Sequence, residues 1–174
     1  MESMLKLTPG FLDSERPARS YETGWATRAI RVAACALGVA TWIAVIMQYP
    51  SMPQTIPTHF DIAGTADGWG PKGSIFLLMG IYTALLVGLT WVSHYPRSFN
   101  YLTVITEANA QGVYRRGEQM LVWLTAASSV LFTGIVLGTI FAFNSGPIVL
   151  IGAIGLGVSV VAGVALSILA GRKN

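Results

Sequence analysis

Residues 147–170 read PIVLIGAIGLGVSVVAGVALSILA, a stretch without a single charged side chain. Because about 20 apolar residues in a helix cross the hydrocarbon core of a bilayer, this stretch predicts a transmembrane helix. Three more stretches have the same character, so the chain has four predicted spans, at residues 29–47, 74–92, 120–143 and 147–170. Backbone groups in lipid must be paired within their own segment, and the alternation typical of barrel strands is absent. We therefore predict an all-α, polytopic membrane protein.

Composition supports the same class and excludes an ordinary soluble domain. Of the 174 residues, 53% are hydrophobic and 11% are charged, and the mean hydropathy is +0.58; soluble domains have roughly 25% charged residues. The middle parts of the four spans contain no Asp, Glu, Lys, Arg or His. Such residues mark ion pathways and proton relays, so we expect neither an ion-coupled transporter nor an intramembrane metalloenzyme.

The distribution of positive charge predicts the orientation. Ten of the 11 Lys and Arg residues lie in the tail 1–28, at the start of the first span, between the second and third spans, or in the C-terminus 171–174. By the positive-inside rule, both termini and the middle loop are expected in the cytoplasm. The net charge of +3 is then a topology signal, and we expect no nucleic-acid partner. The polar tail should be poorly ordered.

The loop at residues 48–73 is the long segment predicted on the outer face. Prolines stiffen its first half, Asp67 and Gly68 predict a turn in its second half, and either Pro71 at a first helical position or Ser74 as N-cap could begin the second span. Aromatic residues are spaced along the loop, and such side chains favour the headgroup region of the membrane. The pattern indicates a short, stiff cap on the outer ends of the helices.

Chemistry-bearing residues in this loop are few. His59, Asp61 and Asp67 are residue types that bind divalent metals, but their spacing matches no recognised site. The favoured interpretation is that Asp67 supports a turn, Asp61 faces water and His59 bonds to loop backbone. The second histidine, His94, is expected about 30 Å away across the membrane. We therefore predict no catalytic residues, no metal and no cofactor.

The stretch from Ile56 to Lys72 reads IPTHFDIAGTADGWGPK. It resembles a bacterial and archaeal membrane domain of unknown function with the pattern I-P-x-H-F-x-x-x-G-x-x-D-x-W-G-x-K, which also forms the N-terminal part of SdpI-type immunity proteins. In SdpI relatives, the resemblance implies resistance to a secreted toxic peptide and capture of a regulator at the membrane. It implies that the outer loop binds a ligand or partner through Pro57, His59, Phe60, Gly64, Asp67, Trp69, Gly70 and Lys72.

A second part of the family pattern is similar to residues 99–114, although Leu102 replaces a common proline and Ala108 a glutamate. Residues 101–119 could form a short helix with Thr106 as N-cap and a solvated pair between Arg115 and Glu118. It is either a linker into the third span or a docking surface for a cytoplasmic protein. The resemblance places that surface on Asn100, Tyr101, Glu107, Asn109 and Tyr114.

Small residues at a spacing of four indicate where helices pack closely in lipid. The longest such ladder lies in the fourth span, at Gly155, Ser159, Gly163, Ser167 and Gly171. We interpret it first as a packing seam inside this chain and second as a seam for another protein.

These features predict a protein of the bacterial or archaeal plasma membrane that binds rather than catalyses. The leading hypothesis is an accessory or structural subunit, or a sensor, whose outer loop and helix seams contact another membrane protein. The alternative is an SdpI-like immunity or signalling protein that captures an extracellular peptide. A metal-dependent enzyme at the outer face is a remote third hypothesis.

Overall fold

A computed structural model describes residues 16–61 and 65–172, and four long helices dominate it. Their bounds are Trp25–Gln48 (α1), Ser74–Val92 (α2), Ala110–Phe141 (α3) and Gly146–Gly171 (α4). Each helix is long and apolar enough to cross a membrane. The prediction of a mostly helical chain with four candidate spans is therefore confirmed.

Two short strands connect α1 and α2 and form a feature that the sequence analysis did not predict. β1 (Thr55–Phe60) pairs antiparallel with β2 (Ala66–Pro71), so the predicted cap is a β-hairpin. The predicted turn at Asp67 and Gly68 is wrong, because both residues lie within β2. Gly73 is the N-cap of α2, ahead of the predicted Ser74. A 3-10 turn at Tyr49–Ser51 leads from α1 into the hairpin.

Helix α3 is central, because it packs against each of the other three helices. It begins at Ala110, well before the predicted start of the third span, so residues 110–119 are part of this long helix rather than a separate short one. Its N-cap is Asn109, which corrects the prediction of Thr106. The Asn109 side chain accepts from the Thr106 backbone N–H and donates to the carbonyls of Val104 and Gly171.

Hydroxyl groups link the helices at the level where charges are absent. Thr41 of α1 and Thr133 of α3 are hydrogen-bonded at 2.9 Å, and the Trp42 indole donates to Thr83 of α2 at 2.9 Å. Most other helix hydroxyls bond to a carbonyl one turn earlier, as the Thr125 and Ser159 side chains do. Since each such bond satisfies a polar group inside lipid, it stabilises the bundle without a charged residue.

The small-residue ladder on α4 packs largely against α3. A Cβ atom on Gly155 would lie 3.0 Å from the Cβ of Ala127, and one on Gly163 would overlap the Met120 side chain. Ser167 is buried and bonds within its own helix, and Gly171 adjoins Thr103. The tightest approach to backbone is at Gly152, outside the ladder, where an added Cβ would lie 2.6 Å from the Leu131 Cα.

Candidate binding surfaces

The hairpin is anchored to the bundle through one side of β1. Ile56 is 1% exposed and belongs to a core cluster with residues of α1, α2 and α3, among them Val45, Met79 and Val136. Pro57 is buried as well, although it follows Ile56 directly in the strand and its register partner is Trp69. Burying a side chain of the size of isoleucine contributes about 1.5–3 kcal/mol, so the hairpin is held in a defined position on the helix ends.

The opposite side of the hairpin exposes an aromatic ring, an imidazole and a carboxylate. Trp69 is 63% exposed, and the side chains of His59 and Asp67 are 72% and 48% exposed. Nδ1 of His59 and Oδ1 of Asp67 are hydrogen-bonded across the two strands. The fold brings His59 and Asp67 together although eight positions separate them in the sequence. We call these two residues and Trp69 the hairpin surface.

The close pairing of the strands leaves no room for a side chain at Gly68, a variable position of the motif. Gly68 lies opposite His59 in the ladder, and a Cβ atom there would be 2.9 Å from the Cβ of His59. A larger residue would therefore push the strands apart beneath the His59–Asp67 pair. Beyond the strands, the Asp61 backbone N–H donates to the Thr65 carbonyl at 2.9 Å and closes the hairpin.

Of the remaining motif residues, three pack against or bond to neighbouring parts of the chain, and one lies outside the described residues. Phe60 is half-buried at the end of β1. Gly70 adjoins Thr58, where an added Cβ would lie 2.9 Å from its methyl group. The Lys72 backbone N–H donates to the Gln54 carbonyl, and its ammonium group lies 4.8 Å from the centre of the Tyr49 ring. Gly64 falls in residues 62–64, outside the described residues.

The hairpin surface lacks a set of ligands that would hold a metal ion. Over residues 16–61 and 65–172, no group of three or more His, Cys, Asp and Glu side chains could share one ion. The interpretation that Asp67 supports a turn while His59 bonds to backbone is wrong, since the two side chains bond to each other. The pair is suited to recognition by hydrogen bonding and charge.

A cluster of charged and hydroxyl groups around Glu118 occupies the opposite end of the bundle. Glu118 is 1% exposed and receives hydrogen bonds from Arg19 at 3.2 Å, Arg31 at 2.8 Å, and Tyr21 and Thr23 at 2.7 Å. The predicted solvated pair of Glu118 with Arg115 is wrong. The carboxylate is instead buried beneath residues 16–24 and α1, where two guanidinium groups offset its charge.

Residues 16–24 are held along this end by the chain itself. Arg16 donates to the carbonyls of Arg97 and Phe99 at 2.8 and 2.7 Å, and the Gln111 amide bonds to backbone groups on both sides of Arg19. Burial, followed by the hydrogen bond to Glu118, raises the pKa of the Tyr21 phenol, so Tyr21 stays protonated as a donor. The predicted disorder of the tail is therefore wrong for residues 16–24, while residues 1–15 lie outside the described residues.

The predicted docking residues, which lie in the loop between α2 and α3 and at the start of α3, divide into two groups. Asn109 and Tyr114 are 4% and 0% exposed, and the Tyr101 hydroxyl donates to the Pro96 carbonyl. These three side chains are packed inside the fold, which leaves Asn100 and Glu107 exposed on that loop. Glu118 was missed as a structural centre, because its arginine partners lie 87 and 99 positions away in the sequence.

Comparison with known proteins places the hairpin in a recognised region. Residues 36–83 match a domain of unknown function, DUF1648, which here comprises the second half of α1, the hairpin and the first half of α2. The chain is 26% identical over 92 residues to an uncharacterized protein of Archaeoglobus fulgidus, and that alignment covers 48% of this chain and 49% of the archaeal protein. The alignment thus spans about half the length of that relative. No solved structure matches this chain.

Proposed function

We propose that this chain is a non-catalytic, multi-pass protein of a bacterial or archaeal plasma membrane that binds another membrane protein through the hairpin surface. The observation that carries the proposal is the two-sided hairpin. Ile56 fixes one side in the core, and the other side presents Trp69, His59 and Asp67 to the surroundings. Exposed tryptophan on a rigid support is typical of the residues that dominate binding energy at interfaces.

The helices offer a second element of such an interface. On α2, Gly80, Ala84 and Gly88 form a stripe of small residues at a spacing of four. An added Cβ at either glycine would meet nothing within 4 Å in the described chain. Close helix approach in lipid favours stripes of this kind. The α4 ladder, in contrast, is largely occupied by α3. A membrane partner is therefore expected beside the hairpin and α2.

The test is co-purification in mild detergent, with crosslinking to identify the partner. A photo-crosslinking residue replaces Trp69 in one variant and Trp91 in a matched control, because the two tryptophans are 63% and 65% exposed at different places in the fold. We expect a defined membrane protein to be crosslinked from position 69 and not from position 91. The same protein should co-purify with the unsubstituted chain and be lost after Trp69→Ala. Equal products from both positions would count against a specific hairpin interface.

A second candidate function is capture of an extended extracellular peptide, as the resemblance to SdpI-type immunity proteins implies. The observation that favours it is the two-stranded sheet, in which each strand pairs on one side only within the described residues. Free strand edges accept an added peptide strand. In that case, cells with His59→Ala or Trp69→Ala should become as sensitive to the secreted peptide as cells that lack the protein. Trp91→Ala should leave resistance unchanged, and unaltered resistance in all three variants would exclude this role.

A further inference from the structure

A groove between α3 and α4 combines an apolar trough with a cationic end. Its volume is about 620 Å³, and on α3 its lining extends from Arg116 to Val130. At 1.5 Å per helical residue, these positions are about 21 Å apart along the axis. One leaflet of the hydrocarbon core is about 15 Å thick. The groove is therefore long enough to receive a lipid acyl chain from its headgroup end to the middle of the membrane.

The lining changes from polar to apolar along this length. Small residues of α4, including Gly155 and Gly163, form part of it, together with the exposed ring of Trp123. Arg116 and Gln119 lie at the polar end and are joined by a hydrogen bond of 3.1 Å. Such a gradient matches the layout of a phospholipid, with a charged headgroup at one end and a hydrocarbon chain along the trough.

A second hollow adjoins the first and extends the cationic end. It also measures about 620 Å³, shares Arg116 and Leu166 with the groove, and is lined in addition by Arg115 and Gln111. Neither lining contains an aspartate or glutamate among the described residues. Within the described residues, Arg116 makes no ion pair with a carboxylate. Arg19 and Arg31, in contrast, both form ion pairs with Glu118.

We propose that this groove binds one anionic phospholipid, with the phosphate at Arg116 and an acyl chain along Trp123. The unpaired positive charge selects for an anionic headgroup, since each basic residue near a membrane surface attracts acidic lipid. The apolar trough distinguishes this site from a patch of surface charge, because the site accommodates an acyl chain as well as a phosphate. The site is distinct from the hairpin surface and does not depend on the proposed partner.

The test measures quenching of Trp123 fluorescence by brominated lipids in bilayers. The other four tryptophans are replaced by phenylalanine, and brominated phosphatidylglycerol is compared with brominated phosphatidylcholine. We expect phosphatidylglycerol to be preferred, and Arg116→Gln to lower that preference about fivefold. Arg28→Gln is the matched control, because it removes an exposed arginine of α1 that lies outside both hollows. It should leave the preference unchanged.

One further variant and one water-soluble competitor separate a built lipid site from general electrostatic attraction. Ala162→Leu adds bulk at an exposed position in the groove, so it should also lower the preference for phosphatidylglycerol. A preference that came from surface charge alone would not change in this variant. Water-soluble glycerol phosphate should not displace the lipid; displacement would indicate an anion site without an acyl-chain site. If the single-tryptophan protein does not fold, native mass spectrometry of the full chain should show fewer retained phosphatidylglycerol adducts after Arg116→Gln. Equal quenching by both lipids, or equal effects of Arg116→Gln and Arg28→Gln, would overturn the proposal.

Discussion

Glu118 is the residue on which the N-terminal segment depends. Replacement by glutamine keeps the size of the side chain but removes the charge that offsets Arg19 and Arg31. Loss of one partner of a buried ion pair costs about 3–5 kcal/mol. We expect Glu118→Gln to lower the free energy of unfolding by about 3 kcal/mol, measured in mixed micelles with increasing dodecyl sulfate. Trypsin should also cleave faster after Arg19.

The matched control for this prediction is Glu22→Gln. Glu22 is 95% exposed and lies 4.0 Å from Arg28, so its ion pair is solvated. Exposed pairs contribute about 0–1 kcal/mol, and neither stability nor cleavage should change appreciably. Cleavage rates that rise equally in both variants would show that Glu118 does not hold residues 16–24.

The residue scale also shows why part of the candidate site could not be predicted. The sequence alone predicts Arg115 as the partner of Glu118, because side chains three positions apart in a helix lie close together. The actual partners come from residues 16–24 and from α1, and only tertiary packing brings them together. Likewise, the sequence marks His59 and Asp67 as chemical groups, but the strand register decides that they bond to each other.

At the scale of elements, the hairpin depends on its anchor. Ile56→Ala removes most of a side chain that is 1% exposed in the core cluster. Such a truncation leaves a cavity and costs about 2–5 kcal/mol. We expect lower unfolding stability in the same detergent assay, together with faster hydrogen exchange of the β1 and β2 amides. Thr55→Ala alters an exposed side chain of the same strand and should leave both measurements near the wild-type values.

The packing of α4 on α3 gives a second prediction at this scale. Gly152→Ala would place a Cβ atom 2.6 Å from the Leu131 backbone, which cannot move as a side-chain tip can. Overpacking of this kind costs about 1–3 kcal/mol, so we expect a lower thermal midpoint in detergent. At Gly157 no atom of the described residues lies within 4 Å of an added Cβ, and Gly157→Ala should be neutral or slightly stabilising because alanine favours the helix. Equal losses in both variants would contradict this close contact.

Elements were predictable where hydropathy changes sharply along the chain. Helix α2 has the bounds 74–92 expected for the second span, because polar loop residues flank it on both sides. Helix α3 starts ten residues before the third span, since a helix continues into polar sequence when its own packing supports it. The hairpin escaped prediction because Pro57, Gly68 and Gly70 are poor strand formers. Burial of Ile56 and the pairing of the strands compensate for this weak propensity.

At the scale of the whole molecule, the chain has two chemically different ends. The hairpin surface lies at one end of α2, and His94 with the Glu118 cluster lies towards the other. The 19 residues of α2 place these ends about 28 Å apart. The proposed partner site and the proposed lipid site therefore use different parts of the protein, so a variant at one should leave the other intact.

This polarity leads to a prediction about orientation. Most Lys and Arg residues lie at the end opposite the hairpin. By the positive-inside rule, we expect that end in the cytoplasm. In a Cys35→Ala background, which removes the only cysteine, Thr55→Cys should react with a membrane-impermeant maleimide in intact cells. Glu107→Cys should react only after permeabilisation. Both positions are exposed in the fold, so a difference in labelling reports the compartment rather than burial. Labelling of both cysteines from the same side would refute the four-span topology, because α2 alone separates the hairpin from the loop that contains Glu107.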